Sequence, residues 1–311
     1  MEDSDKNNNK RRKRFQREAG DRKPAIRLQE RDREIIKLIY DHRFLTTPMI
    51  QQLLPGTHSA RGVLLRLQKL YHNHYLDRVR LPDTDNAPIA YALGNRGADI
   101  MTLQYGIDRA KVDWTTKNRE VTERYIHHAL MISRFRAALD LATRPMPEVT
   151  MEFWEPEGAV KDEIMYHENG RGLRVPIVPD AFLGVRDGHD LVPFFLEADR
   201  STMSNDRFLT KLRGYYHFWH QKLRRGSERH SADQRSYIMG GHEIRAFRVL
   251  VLTLSEQRLE NLRHTARNVA PDKGHLALFW FVCEKSYQND PGRLLAPVWH
   301  TPWSTEACVL L

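Results

Sequence analysis

Cysteine is almost missing from this chain. Among 311 residues only Cys283 and Cys308 occur, and their separation matches neither a disulfide scaffold nor a zinc ligand set. A reducing, cytoplasmic setting follows as the expectation. Long apolar runs are missing too. No stretch approaches the roughly 20 residues that span a bilayer, and the polar, charged start does not read as a secretory leader. An acidic surplus is also lacking: 49 Lys and Arg face 40 Asp and Glu, a formal net charge of +9. That balance favours a polyanionic partner, and the lack of a spanning run is the reason no membrane partner is expected. What remains is ample for folding. The hydrophobic fraction of 41% can build real cores, and the length suits two domains.

Residues 1–27 hold few apolar side chains and carry Asn7-Asn8-Asn9, then Lys10-Arg11-Arg12-Lys13-Arg14. They are expected to form a basic, disordered arm that follows phosphates or a minor groove. From Leu28 the pattern turns helical through Ile35, Ile36, Leu38 and Ile39. A short helix begins at Thr46-Thr47-Pro48, and a third runs from Thr57-His58-Ser59 to about Asn73. Tyr75–Leu81 and Ile89–Leu93 read as a hairpin. Three helices and a hairpin in this order predict a winged helix-turn-helix over 28–107. Its DNA contacts are expected from Ser59, Arg61, Arg66 and Lys69 on the third helix, and from Arg78 and Arg80 on the wing. Dimerisation or protein docking is the competing use of that fold. Residues 108–118 read as a linker, and 119–311 as a second domain opened by a helix from Glu120 to about Thr143. His127-His128 on that helix are more ordinary as core residues than as site residues.

The most informative stretch is Val175–Tyr216. Two apolar runs flank an Asp187-Gly188 turn, which predicts a β-hairpin. Positions symmetric about the turn come side by side, so Asp180 should adjoin Glu197. Alternation puts Glu197 and Asp199 on one face. Three gathered carboxylates repel unless a cation holds them, and hard oxygen donors suit Mg²⁺ or Mn²⁺. A helix from about Asn205 to His220 follows, with Lys211 one turn before Tyr215. Carboxylate-held metal beside a lysine is chemistry for cleaving phosphodiesters. The plain alternative is a solvated strand end. Further strands are expected at 149–154, 247–254 and 276–282, with a helix at 255–268 and a basic loop at 222–234.

Pro179-Asp180, a hairpin's gap, then Glu197-x-Asp199 resembles the PD-(D/E)xK motif of restriction-endonuclease-like nucleases. Asp199 stands where that motif has lysine. With Arg200 and a downstream helix bearing Lys211 and Tyr215, the stretch is closer to the plasmid replication-relaxation family, which includes MobC-type conjugative relaxases. The resemblance implies an α+β chain: a winged helix followed by an α/β nuclease-like domain with a mixed central sheet. It implies Asp180, Glu197 and Asp199 as metal ligands for Mg²⁺ or Mn²⁺, and Lys211, Tyr215 and Tyr216 as further catalytic candidates. Glu155 is a weaker fourth acid. In the resembling relaxases a tyrosine directly follows the lysine, whereas Leu212 stands here. The implied function is site-specific nicking of double-stranded DNA at an origin-like site in plasmid mobilisation or replication. Other mobilisation or replication proteins and a second copy of the chain are the further implied partners. The alternative is an inactive, DNA-binding replication or transcription regulator whose nuclease-like domain dimerises. His72-Asn73-His74 is a chance H-N-H triplet, and no linked H-x-H motif of tyrosine relaxases is visible.

Overall fold

A computed structural model describes residues 15–79, 89–113, 115–168, 170–201, 203–224, 236–269 and 278–311. The chain divides into two compact units, Met1–Ala137 and Ala138–Leu311.

In the first unit, α1 (Glu30–His42) buries Ile35, Ile36 and Ile39, the stripe that its spacing prescribes. Its start is closed by a capping box between Gln29 and Asp32. β1 (Leu45–Thr46) leads into α2 (Thr47–Leu53), which has proline in its first turn. α3 (Ala60–His72) is capped by Ser59, whose Oγ accepts from the Gly62 amide at 3.1 Å. β2 (Leu76–Val79) and β3 (Ala90–Leu93) complete an antiparallel sheet in the order β1-β3-β2. α4 (Asn95–Tyr105) ends at Gly106, whose φ of +67° is the left-handed cap that glycine takes most readily.

Three expectations about this half need correcting. Residues 15–27 are not a free arm. Tyr71 donates to the Phe15 carbonyl at 2.6 Å, the Glu18 amide donates to His72 Nδ1 at 3.0 Å, and Asn73 donates to the Pro24 carbonyl at 2.8 Å. The end of α3 thereby satisfies a segment too polar to reveal itself by periodicity. The charge run Lys10–Arg14 lies outside the described residues. The polar stretch 108–118 is not a loose linker either. Asn118 accepts from Arg43 at 2.7 Å and donates to Asp77 and to the Leu93 carbonyl, just inside α5 (Thr115–Glu120). Finally, the division between units falls within α6 (Glu123–Thr143) rather than before it. Ile126, Ala129 and Leu130 of that helix pack with Phe44, Val79, Ala90 and Ala92 of the first unit.

The second unit is built on a five-stranded sheet in the order β12-β11-β8-β7-β4. β7 (Ala181–Asp187) pairs antiparallel with β4 (Val149–Pro156) on one side and with β8 (Asp190–Asp199) on the other. β11 (Arg248–Thr253) and β12 (Phe279–Cys283) then lie parallel to β8, so the sheet is mixed. Parallel neighbours need crossovers. These are supplied by α7 (Asn205–Phe218) between β8 and β11 and by α8 (Glu256–Ala266) between β11 and β12. The continuous apolar composition of β11 and β12 fits strands buried on both faces. Two hairpins were not anticipated. β5 (Asp162–Glu168) pairs with β6 (Arg171–Ile177), and β9 (Tyr237–Met239) pairs with β10 (His242–Ile244). The apolar run that opens at Val175, expected to form one strand of the hairpin, is split accordingly between β6 and β7, where Pro179 withholds an amide from any ladder. The carboxy-terminal segment is part of the core. Trp299 is fully buried and donates to the Leu294 carbonyl, while Phe281 of β12 exchanges backbone hydrogen bonds with His300.

Candidate active site

The β7–β8 hairpin sets the geometry. Asp187 faces Asp190 across a tight turn in which Gly188 takes a φ of +57°, and Ala181 faces Leu196. Beyond that last pair the Asp180 amide donates to the Leu196 carbonyl at 3.0 Å. Asp180 Oδ2 accepts from the Ala198 amide at 2.7 Å. Asp180 and Glu197 are thus brought to one end of the hairpin, as symmetry about the turn requires.

α7 crosses above them. Ser204 caps it, and Phe208, Leu212, Tyr215 and Phe218 form its buried face. Gly214 lets the helix come close to β6: a Cβ there would lie 2.7 Å from Val175 Cγ1. That approach sets Lys211 and Tyr215 over Glu197. Lys211 Nζ donates to Glu197 Oε2 in a short ion pair, and the Tyr215 hydroxyl donates to Oε1 at 2.5 Å. Glu197 is 4% exposed, whereas the Lys211 side chain is 23% exposed and so opens the cluster to solvent.

Burial pushes the Glu197 carboxyl up; Lys211 opposes and Asp180 reinforces the rise, leaving it at about 7. Burial by itself disfavours the Lys211 ammonium, but Glu197, Asp180 and Glu157 outweigh it and the net shift is upward. Burial and then the neighbouring Glu197 raise the Tyr215 phenol well above its ordinary value. Tyr215 is therefore a hydrogen-bond donor that steadies Glu197; a hydroxyl 0% exposed and already committed is poorly placed to attack a phosphate.

Asp199 departs from the expected trio. It lies on the same face as Glu197 but is bound by Arg258 of α8, with Nη2 to Oδ2 at 2.7 Å and Nε to Oδ1 at 3.3 Å. Its Oδ1 also accepts from the Ser201 amide. Among the described residues no three His, Cys, Asp or Glu side chains converge to hold a metal ion. The Tyr216 ring lies with its centroid 6.5 Å from that of Trp219 and 6.3 Å from that of His220. Glu155 meets His242 at 3.2 Å instead of the site. Of the acids around the end of β4 it is Glu157, in the turn after the strand, that adds to the upward shift of Lys211, behind Glu197 and Asp180. Strand alternation could not select it, because the turn reorients the chain.

The residues expected at DNA are also redistributed. Ser59 serves as the cap of α3, and Arg61 is exposed on that helix. Arg66 is paired with the fully buried Asp32 and donates to the Arg27 carbonyl. It is therefore a structural residue rather than a free contact. Lys69 is half-buried. Arg78 lies over the Tyr71 ring at 4.3 Å, a ring that Arg17 also covers at 4.2 Å. Arg80 lies outside the described residues. Of the histidines, His127 adjoins Glu123 on its own helix. Among the described residues no helix is long and apolar enough to cross a membrane.

No curated protein and no solved structure matches the chain. A family model described as Replication-relaxation does match it, over residues 36–229. The matched stretch runs from α1 through α7 and includes Asp180, Glu197, Lys211 and Tyr215. It covers more than half of the chain and associates it with plasmid replication or mobilisation. The chain belongs to the replication-relaxation family.

Proposed function

We propose that this protein is a metal-dependent, site-specific DNA-nicking endonuclease, a relaxase of a mobile genetic element. The first unit, read as a winged helix, selects the origin-like sequence; the second, read as a restriction-endonuclease-like domain, cuts one strand. The observation that carries this reading is the meeting of Asp180, Glu197 and Lys211 at one end of the β7–β8 hairpin. A buried carboxylate flanked by a second acid is a costly arrangement to keep without a use.

The donor set suits a small hard cation. Mg²⁺ needs one or two carboxylates, with water and substrate phosphate completing its shell, so Asp180 and Glu197 suffice without Asp199. Bound there, Mg²⁺ or Mn²⁺ supplies Lewis-acid polarisation of a phosphoryl oxygen and a more acidic water. The chain's own contributions follow from its contacts. Glu197 is oriented by Tyr215, and Lys211, the solvent-reaching member, offers its ammonium to the charge that develops on the phosphate. DNA is engaged through the basic first unit, with Arg61 the exposed arginine of α3.

A second reading draws on the same geometry. Glu197 is already neutralised by Lys211 and Tyr215, and Asp199 by Arg258, as in a DNA-binding regulator whose nuclease-like unit only dimerises. Supercoiled plasmid carrying the cognate origin decides between them. Conversion to open circles with Mn²⁺ or Mg²⁺, abolished in Glu197→Ala while binding survives, is the expected result. Intact supercoils on a duplex that the protein demonstrably binds would leave the regulator.

A further inference from the structure

Arg258 stands apart from the cluster around Glu197 and outside the stretch that the family model matches. Its guanidinium nevertheless reaches both ends of the connection that delivers Lys211. Nε and Nη2 hold Asp199 at the end of β8; Nη2 also donates to the Met203 carbonyl in the β8–α7 connection at 2.7 Å. Nη1 donates to Asn205 Oδ1, the first residue of α7, at 2.6 Å. The turn it secures is an unusual one. Ser201 has a φ of +61°, a left-handed conformation uncommon for a residue with a Cβ, and its amide is tied back to Asp199 Oδ1. Arg258 and Asp199 are both largely shielded, their side chains 13% and 3% exposed.

We infer that Arg258, with Asp199 as its anchor, is a positioning residue that fixes where α7 starts and thereby holds Lys211 and Tyr215 against Glu197. The lever arm is short. Lys211 lies six residues along the helix from Asn205, about 9 Å at 1.5 Å per residue. A tilt at the helix start therefore reaches Lys211 almost undiluted. A planar fork with donors on three nitrogens is the side chain that can grip a carboxylate, a carbonyl and an amide oxygen together; the donors of lysine all sit on a single nitrogen. The departure of Asp199 from the usual lysine of the PD-(D/E)xK pattern acquires a use on this view. The acid on β8 holds the helix that carries the lysine.

The catalytic part of this inference rests on the nicking function proposed above, and its test separates the two. In the full-length protein, reductive methylation of Lys211, read by mass spectrometry against Lys161 as an internal control, reports the ion pair without any activity. In Asp199→Asn/Arg258→Gln, and more mildly in Asn205→Ala, which alters an exposed side chain and so retains the fold, Lys211 should be labelled severalfold faster while Lys161 is unchanged. Arg258→Lys should fall between. Where nicking is measured, kcat should drop by up to about 10²-fold, the scale of an ångström's misplacement, with KM for DNA little altered. Unchanged Lys211 labelling in the folded variants, or equal acceleration at both lysines, overturns the inference. Absence of nicking by the unaltered protein defeats the proposed function and leaves the labelling result to decide the clamp.

Discussion

Glu197 is the residue on which most depends, and its protonation makes it testable. Burial raises its carboxyl to about 7, above the 4.5 of an ordinary glutamate. Between those values the folded protein keeps a proton that the unfolded chain has lost. Stability should therefore fall as pH rises from about 4.5 through about 7, the sign required when the native state binds more protons. Denaturant titrations across that window should show the fall in the unaltered protein and a weaker one in Glu197→Gln. The arginines of α3 give a second contrast. Arg66 pairs with an Asp32 that is 0% exposed and that also closes the α1 cap. Removing it strands a buried charge, so Arg66→Ala should cost about 3 kcal/mol or more. Arg61→Ala should leave the unfolding midpoint in place and weaken DNA binding. Sequence reasoning could not separate these two arginines. Spacing along a helix assigns a face, but the partner of Arg66 lies 34 residues away in α1. Asp180 and Glu197 were legible because a hairpin's symmetry is local. The fate of Asp199 was not, since Arg258 is 59 residues distant.

At the scale of elements, α7 is held to the β5–β6 hairpin by an absence of side chain at Gly214. In free helices alanine outperforms glycine by about 1 kcal/mol. Here a methyl would press on Val175, and overpacking of that kind costs about 1–3 kcal/mol. The clash should win. Gly214→Ala is expected to lower the urea midpoint and, by lifting α7, to slow any nicking. Strong local patterns could be read directly: α1, α3 and α7 fall where their apolar spacing puts them, and β8 and β11 where their apolar runs lie. The β5–β6 hairpin was missed although Asn169-Gly170 is a strong turn signal, because its strands mix apolar with charged residues and bury little. The β9–β10 pair was missed for another reason: three-residue strands are too short for any period to show.

For the whole molecule, a net charge of +9 is a statement about association rather than fold. If the first unit grips a duplex through about four phosphates, affinity should drop by about 10²-fold between roughly 50 and 200 mM salt. Fluorescence anisotropy with a labelled duplex would measure the slope, and a flat response would remove DNA from the account. The chain's length suited two parts, but it carried no mark of where the division falls. A helix long enough to contribute to both units looks, in sequence, like the property of one.

The segment after β12 carries a consequence of its own. β12 is the outer strand of the central sheet, and its Phe281 finds its outward partners in His300. Arg248, Arg263 and Arg267 fasten the same segment by its carbonyls at Leu310, Thr301, Ser304 and Pro302. A chain cut before Val298 would present an apolar ribbon, Phe-Trp-Phe-Val-Cys, with unsatisfied main-chain groups along one side. Such a ribbon invites another of its kind, so the shortened protein should form oligomers or precipitate on light scattering where the full chain stays dispersed. The last residues then act as a guard against self-templating, a duty independent of any chemistry on nucleic acid.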